Sequence, residues 1–300
     1  MFPSVHKSGI LLFIFTILLF GKTSLAQKRN REAFDPPPNI VFINDTLGCD
    51  LTEITNIDWL FYNYALKQND PLHVEKYVPL KAVWWEVNHP ELIEGYHHHP
   101  KYKMYPVVGL TLQQAQDYAK WRTIVVLKGS LEKRGLISEE ERSDFETGDL
   151  DNFFLDHPEL QSIKYFEYRI PTYNEWLIVK DAFDKHLEIR LKESKRFAKH
   201  FKEGGLFNYY EFGWGDSEGN TIGKPMPRDV LSENKIRDKN LLLKDFYGNV
   251  AEMISDKPIS VGGSWTDSIH EAEINKIQYF KVPNAWTGFR CVGSWKKWRP

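Results

Sequence analysis

Apolar residues change their spacing along the chain, and each change predicts an element. Lys7 precedes an apolar run from Ile10 to Phe20, and the small residues Ser24 and Ala26 stand just ahead of Gln27. This is the pattern of an export signal over 1–26, cleaved before Gln27. The run is shorter than the ~20 apolar residues that a bilayer span needs, which sets the rival reading of an uncleaved anchor behind it. No cysteine stands at the cleavage point to carry a lipid. Residues 27–40 turn polar and then proline-rich, with Pro36, Pro37 and Pro38 predicting an extended lead-in to a domain over 41–300.

Val41 to Ile43 reads as a strand. Apolar spacing from Ile57 to Leu66 predicts an amphipathic helix capped by Thr55 or Asn56. A second helix, capped by Thr111, is predicted over Leu112–Arg122, with Ala115, Tyr118, Ala119 and Arg122 sharing a face. The stretch 123–168 is charged around Glu139 to Asp144 yet holds Phe153, Phe154 and Leu155, so part of it is expected to fold against the domain. A charged helix is predicted from Asp184 to Lys202. Beyond Tyr209, short strands and aromatic turns dominate. Helices early and irregular β structure late make the class α+β.

Composition narrows the function. With 300 residues, 42% of them hydrophobic and 14% aromatic, the chain buries a full core in one domain with insertions. A formal net charge of -2 gives no general attraction to nucleic acid or to an anionic membrane, so neither is an expected partner. Basic residues gather at Lys192 to Lys202, where a solvated helix face is the plainer reading and docking to an acidic partner the sharper one.

Ordered motifs carry a resemblance. Tyr105-Pro-Val-Val-Gly109, Ala115 to Arg122 and Tyr168-Arg-Ile-Pro-Thr-Tyr-Asn-Glu-Trp176 are followed by Asp245-Phe-Tyr-Gly-Asn-Val-Ala-Glu252, Val261-Gly-Gly-Ser-Trp265 and Thr287-Gly-Phe-Arg-Cys291. In this order they resemble the formylglycine-generating, or sulfatase-modifying factor, family, whose fold is related to C-type lectins. That family passes from the tryptophan of the 112–122 helix to its Arg-Leu-Pro-Thr motif in a few residues, so 123–168 reads as an insertion.

The resemblance implies particular sites. Asn249 and Glu252 match a turn at which the family binds structural calcium, although the same groups also suit buried backbone groups of the turn. The family's oxidase cysteines fall between the Gly-Gly-Ser and Gly-Phe-Arg-Cys motifs, an interval that holds none here; Asp267 and Ala272 stand near their positions. Neither residue offers the soft thiolate that Cu(I) favours, so no copper is expected. The family's Gly-Phe-Arg-Cys cysteine pairs with a helix cysteine that this chain lacks. Because the fold places its first and last strands side by side, Cys49 and Cys291 are left either as a disulfide or as two buried free thiols.

Other candidates are weighed against blander roles. Arg290 is expected to be a buried cation meeting Glu252 or Glu175, and Gly262 and Gly263 to allow close backbone approach beneath Trp265. His97, His98 and His99 read as a surface loop. A hydrolytic set of Asp267, Ser268 and His270 is disfavoured, because such sets are defined by geometry. Trp214, Trp265 and Trp286, with Asp267, would form a ligand surface, although aromatics in this fold are more often core.

His99-Pro-Lys-Tyr-Lys-Met-Tyr-Pro-Val-Val-Gly109, and then Trp121-Arg122-Thr123, resemble more narrowly the gliding-motility and type IX secretion proteins of the GldK and GldJ kind. The expectation is an exported, non-catalytic structural component in the periplasm or cell envelope, with partners in a secretion or motility assembly. It is not expected to be an integral membrane protein after signal cleavage. The alternatives are a divergent oxidase or hydrolase, or a carbohydrate- or peptide-binding protein of the same fold.

Overall fold

A computed structural model describes residues 37–69, 71, 74–142, 149–195, 198–199, 226–230, 242–267 and 277–299. The chain divides into two units, 1–34 and 35–300, and these residues all belong to the second. The expected signal segment, most of the lead-in, Trp214, Ser268, His270 and Ala272 lie outside the described residues.

Two sheets form the framework. In the first, β1 (Ile40–Phe42), β2 (Gly48–Asp50), β8 (Val292–Lys297) and β3 (Lys164–Arg169) pair antiparallel in that order. In the second, β6 (Gln278–Tyr279), β5 (Ile259–Val261), β4 (Ala251–Met253) and β7 (Thr287–Gly288) run in that order, with β4 and β7 parallel. Gly293 in β8 faces Gly48 in β2 because Phe166 crosses over both; a Cβ on Gly293 would meet Phe166 Cε1 at 2.3 Å. Only glycine admits that approach.

Helices cover the first sheet. On one face lies α5 (Tyr173–Glu193), whose Trp176, Val179, Phe183 and Leu187 pack with Cys49 and Val292. On the other, α1 (Asn56–Asn69) and α3 (Leu112–Lys133) pack Trp59, Tyr62, Tyr118 and Ala119 against Phe166, Tyr168 and Cys291. Each fully buried side chain of this size contributes about 1.5–3 kcal/mol. Capping boxes start two of these helices: Thr111 with Gln114 on α3, and Thr172 with Glu175 on α5. Thr55 caps α1 and bonds the Asp58 carboxylate through both its N–H and its hydroxyl.

The helix expected over Leu112–Arg122 runs on to Lys133, because Leu127 and Leu131 continue its buried stripe. These residues join Ile137, Phe153, Phe154, Leu160, Tyr165 and Trp298 in a satellite core. Within it, α4 (Leu150–Asp156) buries Phe153 and Phe154 while Leu155 stays exposed. The described part of 123–168 therefore folds against the end of β8. A short helix, α2 (Val83–Glu86), buries Trp84. Among the described residues, no helix is long and apolar enough to cross a membrane.

The register of β2 on β8 decides the thiols. Cys49 faces Val292, so Cys291 lies one residue out of step, level with Asp50, whose N–H donates to Cys291 O at 2.9 Å. Adjacent residues of a strand point to opposite faces. Cys49 packs under α5 and Cys291 under α1 and α3, and both are free and buried. The adjacency of the strands holds, but the Cys49–Cys291 disulfide does not form.

Candidate functional site

Three left-handed positions bend the chain between Leu243 and β4: Asp245 at φ 48°, Gly248 at 74° and Asn249 at 58°. Asparagine and aspartate tolerate this region better than other side chains, and glycine adopts it freely. Opposite them stand Gly262 at φ 92° and Gly263 at 72°. Gly248 N–H donates to Gly262 O at 2.9 Å, and a Cβ on Gly262 would sit 3.1 Å from Phe246 O. The glycine pair thus serves this turn as well as the approach of Trp265, whose N–H donates to Asn249 O at 2.8 Å.

Charged groups close around the turn. Arg290 donates through Nε to Glu252 Oε1 at 2.6 Å, with both side chains at most 2% exposed. It also donates to Asp50 O at 2.8 Å and Lys244 O at 2.9 Å. Burial opposes the charge on Arg290, and Glu252 overcomes this to leave its pKa raised. Burial pushes Glu252 up, against the pull of the guanidinium. Asn249 bridges the two halves: its Nδ2 donates to Glu53 Oε2 at 2.7 Å, and its Oδ1 accepts Arg228 N–H at 2.8 Å. Glu53, fully buried, also accepts Val250 N–H at 3.2 Å, and burial lifts its carboxyl well above the usual range. Arg228 in turn reaches Asp245 through Nε at 3.2 Å.

Trp265 is 3% exposed, donates its indole N–H to Ala285 O at 3.1 Å and stacks near Trp84. Asp267 is also buried, and its Oδ2 accepts Ser264 N–H at 2.8 Å, the Ser264 hydroxyl and Gln278 Nε2. Trp286 is half-buried against the same cluster. Among the described residues of the expected ligand surface, Trp265 and Asp267 are therefore interior, and Trp286 alone stays partly exposed.

The sulfatase-modifying factor enzyme 1-like domain matches residues 17–295. The chain belongs to the sulfatase-modifying factor family. Among solved structures it is similar to CarF, at 14% identity over 83% of this chain and 86% of that one, with a TM-score of 0.39. PvdO from Pseudomonas aeruginosa is similar at 12% identity over 64% of this chain and 63% of that one, with a TM-score of 0.29. No curated protein sequence matches the chain.

For a sulfatase-modifying factor domain, the Gly-Asn turn raises the question of calcium. The side-chain oxygens named for it face N–H donors: Glu252 Oε1 meets Arg290, and Asn249 Oδ1 meets Arg228 N–H. Two main-chain carbonyls beside them also accept from Arg290. As arranged, Glu252 Oε1 and the two carbonyls are committed to the Arg290 guanidinium and Asn249 Oδ1 to a main-chain N–H, a set that does not fit Ca²⁺. Among the described residues no three His, Cys, Asp or Glu side chains gather as a metal site.

Two further residues differ from expectation or were missed. His97 is buried at 4% exposure, with Nε2 on Val108 O at 3.1 Å, while His98 and His99 stay exposed. The histidine triplet is thus not wholly a surface loop. Arg122 forms a two-pronged pair with Asp50, at 2.7 and 2.9 Å, donates to Pro38 O and lies over the Tyr168 ring. Burial raises the Asp50 carboxyl, against the pull of Arg122. The position of Arg122 on an apolar helix stripe signalled burial; its partner 72 residues away left no local trace.

Proposed function

We propose that this member of the sulfatase-modifying factor family is an exported, non-catalytic structural component of the cell envelope, acting within a type IX secretion or gliding-motility assembly. One observation carries the reading. The chain has only two cysteines, and both are buried on opposite faces of one sheet, where they cannot form a dithiolate. Asp267, near a family cysteine position, is committed to Ser264 and Gln278. The likeness of His99 to Gly109 and of Trp121 to Thr123 to GldK and GldJ supports an envelope role, and the apolar run from Ile10 to Phe20 supports export.

The test is affinity purification of the tagged mature chain from its native envelope after mild crosslinking, with mass spectrometry of what accompanies it. Secretion or motility components at fixed stoichiometry are expected. Recovery of the chain alone overturns the assembly reading. An Asp267→Asn variant, which keeps the acceptor oxygen but removes the carboxylate, is expected to complement a deletion strain fully; loss of complementation by a folded variant would favour an enzyme.

A further inference from the structure

A cleft of 960 Å³ runs between α1, α3 and β3 and reaches the start of α4. That volume lies near the upper end of the range for ligand sites, about 300–1,000 Å³, and it accommodates several residues of an extended chain. Aromatic rings line one side: Tyr62 lies 5.6 Å from Tyr77 and 5.1 Å from Trp121, centroid to centroid. Tyr165 and Tyr168 contribute from β3. The Trp121 indole N–H is buried and has no acceptor among the described residues.

The charges of the cleft are unbalanced. Asp117, Asp149, Asp151 and Glu167 line it, against Lys120 and Arg169. Arg169 is held by both oxygens of Glu175, at 3.1 and 2.6 Å, and Lys120 sits 3.9 Å from Asp117. Asp149 caps α4 by accepting Asp151 N–H, and Asp151 accepts the Trp298 indole N–H at 2.7 Å. Neither forms an ion pair with a Lys or Arg among the described residues, and Glu167 has only Lys296, at 4.0 Å. Carboxylates that line a cleft together with the partly exposed rings of Tyr77 and Trp121 favour a cation, which gains both ion pairing and contact with the rings. The same carboxylates repel phosphates and anionic headgroups.

We propose that this cleft binds a Lys- or Arg-rich extended segment of a protein partner, with the cationic side chains on Asp149, Asp151 and Glu167 and the stems on the partly exposed Tyr77 and Trp121. The proposal rests on the assembly reading only for the identity of the partner, since the cleft is tested by a defined peptide.

The probe is a labelled peptide of about ten residues alternating Lys and Val, titrated onto the full mature chain by fluorescence anisotropy, with a Glu–Val peptide as its counterpart. The Lys–Val peptide is expected to bind, to weaken as salt rises and to quench tryptophan emission; the Glu–Val peptide is expected not to bind. An Asp149→Asn, Asp151→Asn, Glu167→Gln triple variant keeps the cap and the Trp298 acceptor. It should keep its melting temperature and bind about tenfold more weakly. Equal binding by the triple variant, equal binding of the two peptides, no binding, or saturation of the cleft by a neutral oligosaccharide or a second copy of the chain each overturns the proposal. Failure here with partner capture intact removes the cleft and leaves the assembly reading; the reverse pattern leaves the cleft and removes the assembly.

Discussion

Arg290 and Glu252 meet at 2.6 Å inside a core that leaves neither side chain more than 2% exposed. Removing one partner strands a buried charge, which typically costs about 3–5 kcal/mol, whereas removing both together costs less than the sum. Arg290→Met and Glu252→Gln are each expected to lower stability by about that amount in urea titrations, with the double variant closer to the parent than the two losses added. Simple additivity would show that the pair is not coupled.

Because a guanidinium occupies the oxygen-rich turn, divalent cations should be irrelevant to stability. A ligand that bound only the folded state would raise the melting temperature with its concentration. Thermal melts with a chelator and with millimolar Ca²⁺ are expected to coincide. A rise of more than about 2 °C on adding Ca²⁺ would show that the turn opens to a metal.

Cys49 and Cys291 should be silent towards thiol reagents. Burial raises both thiols above the ordinary range, so thiolate is scarce at neutral pH and access is closed. The native chain is expected to react with neither thiol, and the unfolded chain with both. Electrophoretic mobility should be unchanged by reductant. Faster migration of the oxidised chain would reveal a bridge that the strand register forbids.

His97 links stability to mild acid. Burial lowers its pKa from 6.5 to about 4, so the unfolded chain takes up this proton before the folded one does. Its contribution is complete above pH 6.5, falls as pH drops from 6.5 towards 4, and levels off below that, a loss of roughly 3 kcal/mol. His97→Gln should flatten this part of the stability curve. An unchanged slope between pH 6.5 and 4 would assign the acid sensitivity to other groups.

Local signals in the sequence located the elements well, and long-range pairing escaped them. Thr111 and Thr172 cap helices because each has its partner three residues on, a relation visible in any short window. The adjacency of the strands carrying Cys49 and Cys291 followed from family resemblance, but the one-residue offset that separates their faces depends on backbone pairing that no composition reports. Arg290 was legible as a buried cation, and Glu252 as one of its two candidate partners. Glu175 instead holds Arg169, six residues before it, through the same turn that caps α5. His97 was misjudged because neighbours in a turn differ in exposure, whereas the burial of Trp265 agrees with the core role favoured for aromatics of this fold.

The pairing of β2 with β8 also orders events in time. Arg290 binds the carbonyl of Asp50 across 240 residues, and Cys291 N–H binds the Asp50 carboxylate across 241. Synthesis delivers Asp50 long before Arg290 and Cys291, so these two contacts form late, whereas Arg122, 72 residues on, can pair with the Asp50 carboxylate sooner. Closure of such distant contacts is slow, and the incomplete domain stays loose while it lasts.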